Sequence, residues 1–367
     1  MVDNARDTSH ARSGEVWILG ATGRIGRDVT ARLVARGIDP VPVGRDRDRL
    51  RKAAGGRDAR VVIADGADAI AAEIARQRPS VVVNAIGDYA HTATTVARAC
   101  LPGGHYLDLA ADLTSVSRLL DLHQDAVAAG STLITGAGFG VLATEAVVVK
   151  LCEGRPTPDR VHVDALASVA INGGVIGTAY AASIVDALTM GGRAYSNGRM
   201  VTTRLGATPR KLTLPDGQQV TSAGAPAGEL LAAHRAGGAP DVTVTTALAP
   251  TSPLARAVLP PVGKLLSFPA VRRFAVRRMA GLKIKAAPRP RQHSWGHVVV
   301  DWADGTRREG WLRADDGMDY TAAVAAETAV RLARGEGALG AHTPAAAFGP
   351  DLATAAGGTF LLDRAAA

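Results

Sequence analysis

A chain of 367 residues exceeds one ordinary domain and suggests about two, and 47% hydrophobic content with only 4% aromatics implies cores built from Ala, Val, Leu and Ile. Two cysteines, Cys100 and Cys152, exclude a disulfide framework or a cysteine metal site and point to a reducing cytoplasm. The net charge of +8 is local: between Val242 and Val300 there are ten Lys and Arg and no Asp or Glu, and only Phe268 and Phe274 stand among those charges, which speaks against nucleic-acid binding.

Residues 1–14 are polar, carry mixed charge and lack the apolar core of a secretory signal, so a loose tail is expected. Val16–Leu19 then forms a short apolar run of the kind a fully buried strand requires. Gly20, Ala21, Thr22, Gly23, Arg24, Ile25 and Gly26 follow as a turn in G-x-x-G-x-x-G spacing. Beyond it Ile25, Val29 and Leu33 recur at helical intervals, and Gly37 stands where a helix ends. Strand, glycine turn and amphipathic helix together are the context for a dinucleotide pyrophosphate, which the helix N–H groups and dipole would face.

Val41 and Val43 predict a second strand, ending at Gly44 with no acidic residue to hold a ribose 2′-hydroxyl. Arg45 follows and suits a 2′-phosphate, so NADP is the expected cofactor; Asp46 competes as a ribose contact. Arg47, Arg49, Arg51 and Lys52 read as a solvated helix face. A third strand at 60–64 ends at Asp65, within reach of the adenine edge. Helices over 67–76, 92–101 and 113–129 alternate with strands at 80–83, 105–109 and 131–135, the last running into GAGFG. Six strands alternating with helices predict a parallel, doubly wound α/β sheet with ligands at the strand carboxyl ends. Those ends carry Asn84, Ala85, Gly87 and Tyr89.

From about residue 141 strands dominate: 161–170, 194–204, 242–249, and a pair at 297–302 and 306–313 joined by Ala303-Asp304-Gly305. A mixed or antiparallel sheet with helices on one face is expected. The uncharged run 165–185 has the length of a membrane span, but its glycines read it as strand, turn and helix. Thr321–Arg334 is helical and 344–364 a mostly apolar tail.

Several stretches together resemble the saccharopine dehydrogenase-like oxidoreductases, a family that includes trans-acting enoyl reductases. They are GATGRIG at 20–26, GRD at 44–46, VVVNAIGDYA at 81–90, CLPGGHYLDLAAD at 100–112, GFG at 138–140, GGVIGT at 173–178, DDGMDYTA at 315–322 and TPAAAFG at 343–349. The resemblance implies a tail over 1–14, a Rossmann domain over 15–140, a substrate-covering α+β domain over 141–315 and a segment over 316–367 that returns to the Rossmann domain. Departures from the family pattern fall at Gly87-Asp88-Tyr89 and at Gly140-Val141-Leu142-Ala143-Thr144.

The expected chemistry is hydride transfer to or from a C=N, C–N or conjugated C=C bond of a small or carrier-linked metabolite; the alternative is a redox sensor that holds NADP without turnover. Tyr89 is the first candidate proton donor and His91 the second, with His105, Tyr106 and Asp108 beside them. Asn84 would meet the cofactor ribose or carboxamide, and Asn172 and Thr178 the substrate. No tyrosine is followed four residues later by lysine, which argues against a short-chain carbonyl reductase. No metal is expected: His293 and His297 would not share a helical face, and nothing nearby completes a site. The basic segment 256–291 reads either as an amphipathic surface for a membrane or an acyl carrier, or as a solvated helix. A homodimer is a further expected assembly.

Overall fold

A computed structural model of the chain describes residues 14–55, 59–171 and 173–362; the expected tail over 1–13 and Asn172 lie outside them. The amino-terminal half alternates β1 (Val16–Leu19), α1 (Arg24–Val34), β2 (Val41–Gly44), α2 (Arg47–Ala53), β3 (Val62–Ile63), α3 (Ala67–Gln77), β4 (Val81–Asn84), α4 (Tyr89–Ala99), β5 (His105–Asp108), α5 (Leu113–Leu120), α6 (His123–Ala128) and β6 (Thr132–Ile134). β1 and β4 are buried along their whole length, as strands covered by helices on both faces must be. The single helix expected over 113–129 is two, interrupted at Asp121 and Leu122.

The rhythm then changes. α7 (Phe139–Cys152) is buried nearly all round, which explains why no helical period marked it. It leads into β7 (Arg160–Leu166), β8 (Gly174–Val175), α8 (Thr178–Met190), β9 (Gly192–Ser196), β10 (Arg199–Thr203), β11 (Arg210–Thr213), β12 (Gln219–Gly224), α9 (Glu229–Gly237), β13 (Asp241–Thr246), α10 (Pro253–Leu266), α11 (Pro269–Ala280), β14 (Lys283–Ile284), β15 (Ser294–Asp301) and β16 (Arg307–Ala314). The strand expected over 194–204 is a hairpin instead, because Asn197 and Gly198 take positive φ and turn the chain. The expected β15–β16 hairpin is present, paired from Ser294 with Ala314 to Asp301 with Arg307. Among the described residues no helix is long and apolar enough to cross a membrane.

The chain ends with α12 (Gly317–Ala333), β17 (Gly340–His342), α13 (Pro344–Phe348), α14 (Leu352–Ala355) and β18 (Thr359–Leu362). α12 packs on α1 of the first half, and β17 adds a seventh parallel strand in the order β17-β6-β5-β4-β1-β2-β3. β18 departs from the expected return: it pairs antiparallel with β16, at the edge of the second sheet. That sheet has nine strands, running β10-β9-β13-β7-β15-β16-β18, with β12 on β13 and β11 on β12; β13 and β7 are parallel and the other pairs antiparallel. The two units share one core, in which Leu142, Val147 and Val148 of α7 and Val324 and Ala325 of α12 join both sheets. Glu145 of α7 ties in the tail: its carboxylate accepts the Thr343 hydroxyl and the Ala345 and Ala346 N–H groups at the start of α13, the last two at 2.9 and 3.1 Å.

The face of the second sheet turned away from α7 holds a buried polar network. Asp164 Oδ1 accepts the Ser222 hydroxyl at 2.7 Å and the Thr245 hydroxyl, while Oδ2 lies 2.7 Å from His297 Nδ1 and 3.2 Å from His162 Nε2. His297 Nε2 is 2.8 Å from Glu309 Oε1, and its ring stacks on Trp311. Burial would raise the Asp164 carboxyl, but the two histidines more than reverse this and hold it well below the usual carboxylate range. Asp164→Asn sets an amide against these donors and is expected to cost about 3 kcal/mol in urea unfolding at neutral pH. Because the folded value is depressed, the carboxylate stabilises fully above the unfolded value near pH 4 and progressively less below it. The gap between wild type and variant should therefore narrow as pH falls below about 4.

Candidate functional site

The glycine turn is shaped by close approaches. Gly20 takes φ +78°, and a Cβ there would stand 2.8 Å from the Ala85 carbonyl oxygen at the end of β4. A Cβ on Gly26 would stand 2.2 Å from the Gly20 carbonyl oxygen, so only glycine lets α1 lie this close to the end of β1. Gly23 N-caps α1 with extended backbone, no side chain caps the helix, and no acidic residue occupies its first turn. The leading N–H groups and positive dipole end are thus left for an anion, as a pyrophosphate site requires. Ala21 is fully buried and Ile25 packs on the core, so both support the turn. Arg24 reaches across to the amino end of α12, 3.5 Å from Asp316 Oδ1 and 3.6 Å from Asp319 Oδ1, and ties the turn to the carboxyl-terminal region.

Next to the turn lies a cavity of about 370 Å³, lined by Gly20, Thr22, Gly44, Arg45, Asp46, Asp65 and Ile86 among others. The structure thus brings the turn, the end of β2 and the end of β3 together around one space. Arg49 also lines it, a correction to the reading of that residue as a solvated face. Asp46 N-caps α2, accepting the Asp48 and Arg49 N–H groups at 3.1 and 3.0 Å, and so turns the first turn of that helix toward the cavity. The four-residue spacing from Arg45, about one helical turn, is a signal that could have found Arg49 only once this cap was known.

The expected residues after β4 are placed differently. Asn84 is fully buried; its amide donates to Tyr106 Oη at 3.0 Å and its carbonyl accepts the Ile86 N–H at 3.2 Å, so it braces β4 against β5 instead of facing a cofactor. Gly87 and Asp88 take positive φ and bend the chain into α4. Tyr89 is the first residue of that helix, half-buried between the two apolar clusters, not in an open loop. Burial first, and then the charge of Asp108, pushes its phenol well above the ordinary value, which makes it a poor acid. His91 is exposed, with Nδ1 2.8 Å from Asp88 Oδ1. The side chain of Thr178 lies outside the described part.

Two buried carboxyls stand near the carboxyl ends of β5 and β6: Asp108, one of the expected candidate donors, and Glu229, which the sequence did not mark. Asp108 accepts from the Ala110 N–H, the Thr135 hydroxyl, the Gly136 N–H and the Tyr106 hydroxyl, at 3.1, 2.9, 3.2 and 3.2 Å, yet burial still pushes it up to about 6. Glu229, the first residue of α9, lies over Gly140 of the GAGFG stretch, where a Cβ would stand 2.0 Å from its Oε1. The neighbouring Gly228 N–H donates to the Ala111 carbonyl oxygen after β5, so Glu229 sits where the two halves of the chain meet. Its Oε2 has no hydrogen-bond partner among the described residues, and burial pushes the carboxyl up to about 7. A glutamate opening a helix looks like a solvated end-charge in sequence; the one hint was the second glycine of Gly138-Phe139-Gly140.

Residues 16–134 match the family model of the saccharopine dehydrogenase NADP binding domain. The solved structure of apo saccharopine dehydrogenase (L-Glu forming) from Saccharomyces cerevisiae has the same fold, with TM-score 0.57 and 13% identity over 95% of this chain and 100% of that one. GenD2 from gentamicin A biosynthesis, in complex with NAD, matches with TM-score 0.42 and 15% identity over 100% of both chains. Serine dehydrogenase from Escherichia coli matches with TM-score 0.26 and 19% identity over 33% of this chain and 80% of that one. No match to a curated protein was found. A saccharopine dehydrogenase NADP-binding domain within a saccharopine dehydrogenase fold is the framework of a nucleotide-dependent oxidoreductase.

The raised value of Glu229 has a thermodynamic consequence. Between its ordinary value of 4.5 and about 7 the folded chain keeps a proton that the unfolded chain releases, so this group weakens folding as pH rises through that window. Glu229→Gln removes the effect. The variant should match wild type near pH 4.5 and be about 2–3 kcal/mol more stable above pH 7 in urea unfolding. A pH-independent difference would show that the carboxyl is not held neutral.

Proposed function

We propose that the chain is an NADP-dependent oxidoreductase that moves hydride to or from a C=N, C–N or conjugated C=C bond of a small or carrier-linked metabolite. The observation that carries the cofactor is the cavity beside the glycine turn, where Arg45 and Arg49 both line the space while β2 ends in Gly44 and Asp46 is engaged in capping α2. Two guanidinium groups suit a dianionic 2′-phosphate, whereas a ribose 2′-hydroxyl calls for an acidic acceptor. The cradle fits the rest of the nucleotide, since Gly20 and Gly26 let the uncapped amino end of α1 close onto the ends of β1 and β4 beside the cavity. A bound nicotinamide supplies the hydride.

The protein's own part is to hold the nucleotide, exclude water and manage a proton. The first-turn N–H groups of α1 hold the diphosphate, and Thr22 and Ile86 line the approach to the nucleoside. Reduction of an iminium carbon asks for no proton from the protein, while reduction of a conjugated C=C asks for one at the neighbouring carbon. Tyr89 is held neutral as a poor acid and His91 points to solvent beside Asp88, which favours the C=N or C–N half of the reading; a conjugated C=C would have to draw its proton from Asp108 or Glu229, the two carboxyls that burial raises.

Titration of the chain with NADPH and NADH, followed by nucleotide fluorescence, tests the cofactor directly. NADPH should bind more tightly, and Arg45→Ala and Arg49→Ala should each weaken it by about tenfold or more with little effect on NADH. Tighter binding of NADH would reverse the cofactor assignment. Imines and enoyl thioesters offered with the preferred nucleotide should separate the two bond classes by loss of its absorbance, with turnover of imines expected.

A further inference from the structure

Outside the nucleotide site, α8, α10 and α11 form a small satellite with its own core of Ala181, Val185, Leu266 and Val276. It carries most of the basic segment, and the structure divides those ten cations into two groups. Arg272 is committed to the fold: its Nε and Nη2 donate to Asp186 Oδ1 and Oδ2 of α8 at 2.8 and 2.9 Å, which clamps α11 onto α8. Arg291 donates to the Ala167 carbonyl oxygen at 2.6 Å, and Arg256 is half-buried at the start of α10. The other seven, Lys264, Arg273, Arg277, Arg278, Lys283, Lys285 and Arg289, are exposed, and none has an ion-pair partner among the described residues.

The same surface exposes large apolar side chains. Leu254, Leu265, Phe268, Phe274 and Leu282 are each more than half exposed, from 55% at Leu282 to 76% at Leu254. Single exposed hydrophobics are ordinary, but five on one two-helix unit, with Val258 also on α10, are not. The pattern continues into the adjoining ribbon, where exposed Val175 of β8 pairs with Lys283 of β14. Apolar and cationic groups therefore mingle on the exposed sides of α10, α11 and the ribbon, and no acidic residue occurs from Val242 to Val300.

We propose that this face of α10, α11 and the β8–β14 ribbon docks on the surface of an anionic phospholipid bilayer. A lipid surface accepts both kinds of side chain at once: Phe268, Phe274 and the leucines enter the boundary of the acyl chains while the arginines and lysines remain at the headgroup phosphates. A folded acidic partner such as an acyl carrier would answer the cations with fixed carboxylates and leave this spread of exposed aromatic and aliphatic area uncovered. Each free cation near an anionic leaflet strengthens attachment by roughly fivefold, so seven together form a strong electrostatic anchor at low salt.

The test is sedimentation of the full chain with sucrose-loaded vesicles of phosphatidylcholine alone or with phosphatidylglycerol making up about one-third of the lipid. The chain should pellet with the anionic vesicles, stay in solution with the neutral ones, and be released by salt. Arg273→Glu with Arg277→Glu, and separately Phe268→Ser with Phe274→Ser, should each lower the bound fraction at least about tenfold while NADPH binding stays intact and reports a folded chain. Arg272→Glu is not used, because it would break the clamp to Asp186. Equal binding to both vesicles, binding that survives both double substitutions, or capture by an acidic acyl-carrier domain without vesicle binding would overturn the proposal.

Discussion

The nucleotide site depends on a steric constraint, the meeting of α1 with the end of β1. The carbonyl oxygen of Gly20 occupies the place a Cβ on Gly26 would take, and Gly20 itself is pressed against the end of β4. These approaches hold the amino end of α1 at the carboxyl edge of the sheet, and among the described residues no side chain caps it. An anion-binding point at the middle of a seven-stranded sheet follows from steric exclusion, before any charged side chain is considered. Arg24, Asp316 and Asp319 then link that point to the amino end of α12, so the turn is held from the carboxyl-terminal region as well as from its own strand.

Around this point the molecule divides its charged groups by purpose. The Asp164 carboxylate is satisfied inside the second sheet by Ser222, Thr245 and His297, and Glu145 is satisfied by the start of α13. Glu229 is the contrast: equally enclosed, at the seam between the two units, with one oxygen unmatched. An unmatched oxygen in such a place costs free energy that a merely structural carboxyl would recover through a hydrogen bond.

How much of this was legible in the sequence depended on whether a pattern left one face different from another. The strands of the first sheet were readable as short apolar runs, and the glycine spacing was readable because each glycine answers a steric demand in the backbone. α7 was not readable: apolar on every side, it has no period to detect, because it is enclosed between the second sheet and α12, α13 and α14. The β9–β10 hairpin was within reach, since Asn197-Gly198 is a strong turn signal inside a run that otherwise looked continuous. In the site, the main-chain cradle and Arg45 were foreseeable from local order. Asn84 and Tyr89 pointed elsewhere because neighbouring strands claim their polar atoms, and Arg49 and Glu229 depended on a helix cap and a helix crossing that no local window contains.

The routing of residues 340–362 bears on how the two sheets are coupled. Gly340–His342 lies beside β6 in one sheet and Thr359–Leu362 beside β16 in the other, so one short stretch closes an edge of each. Peeling that stretch away would bare two β edges in a single event, each a template for wrong partners. Local fraying there thus carries a double aggregation hazard that neither strand would create alone.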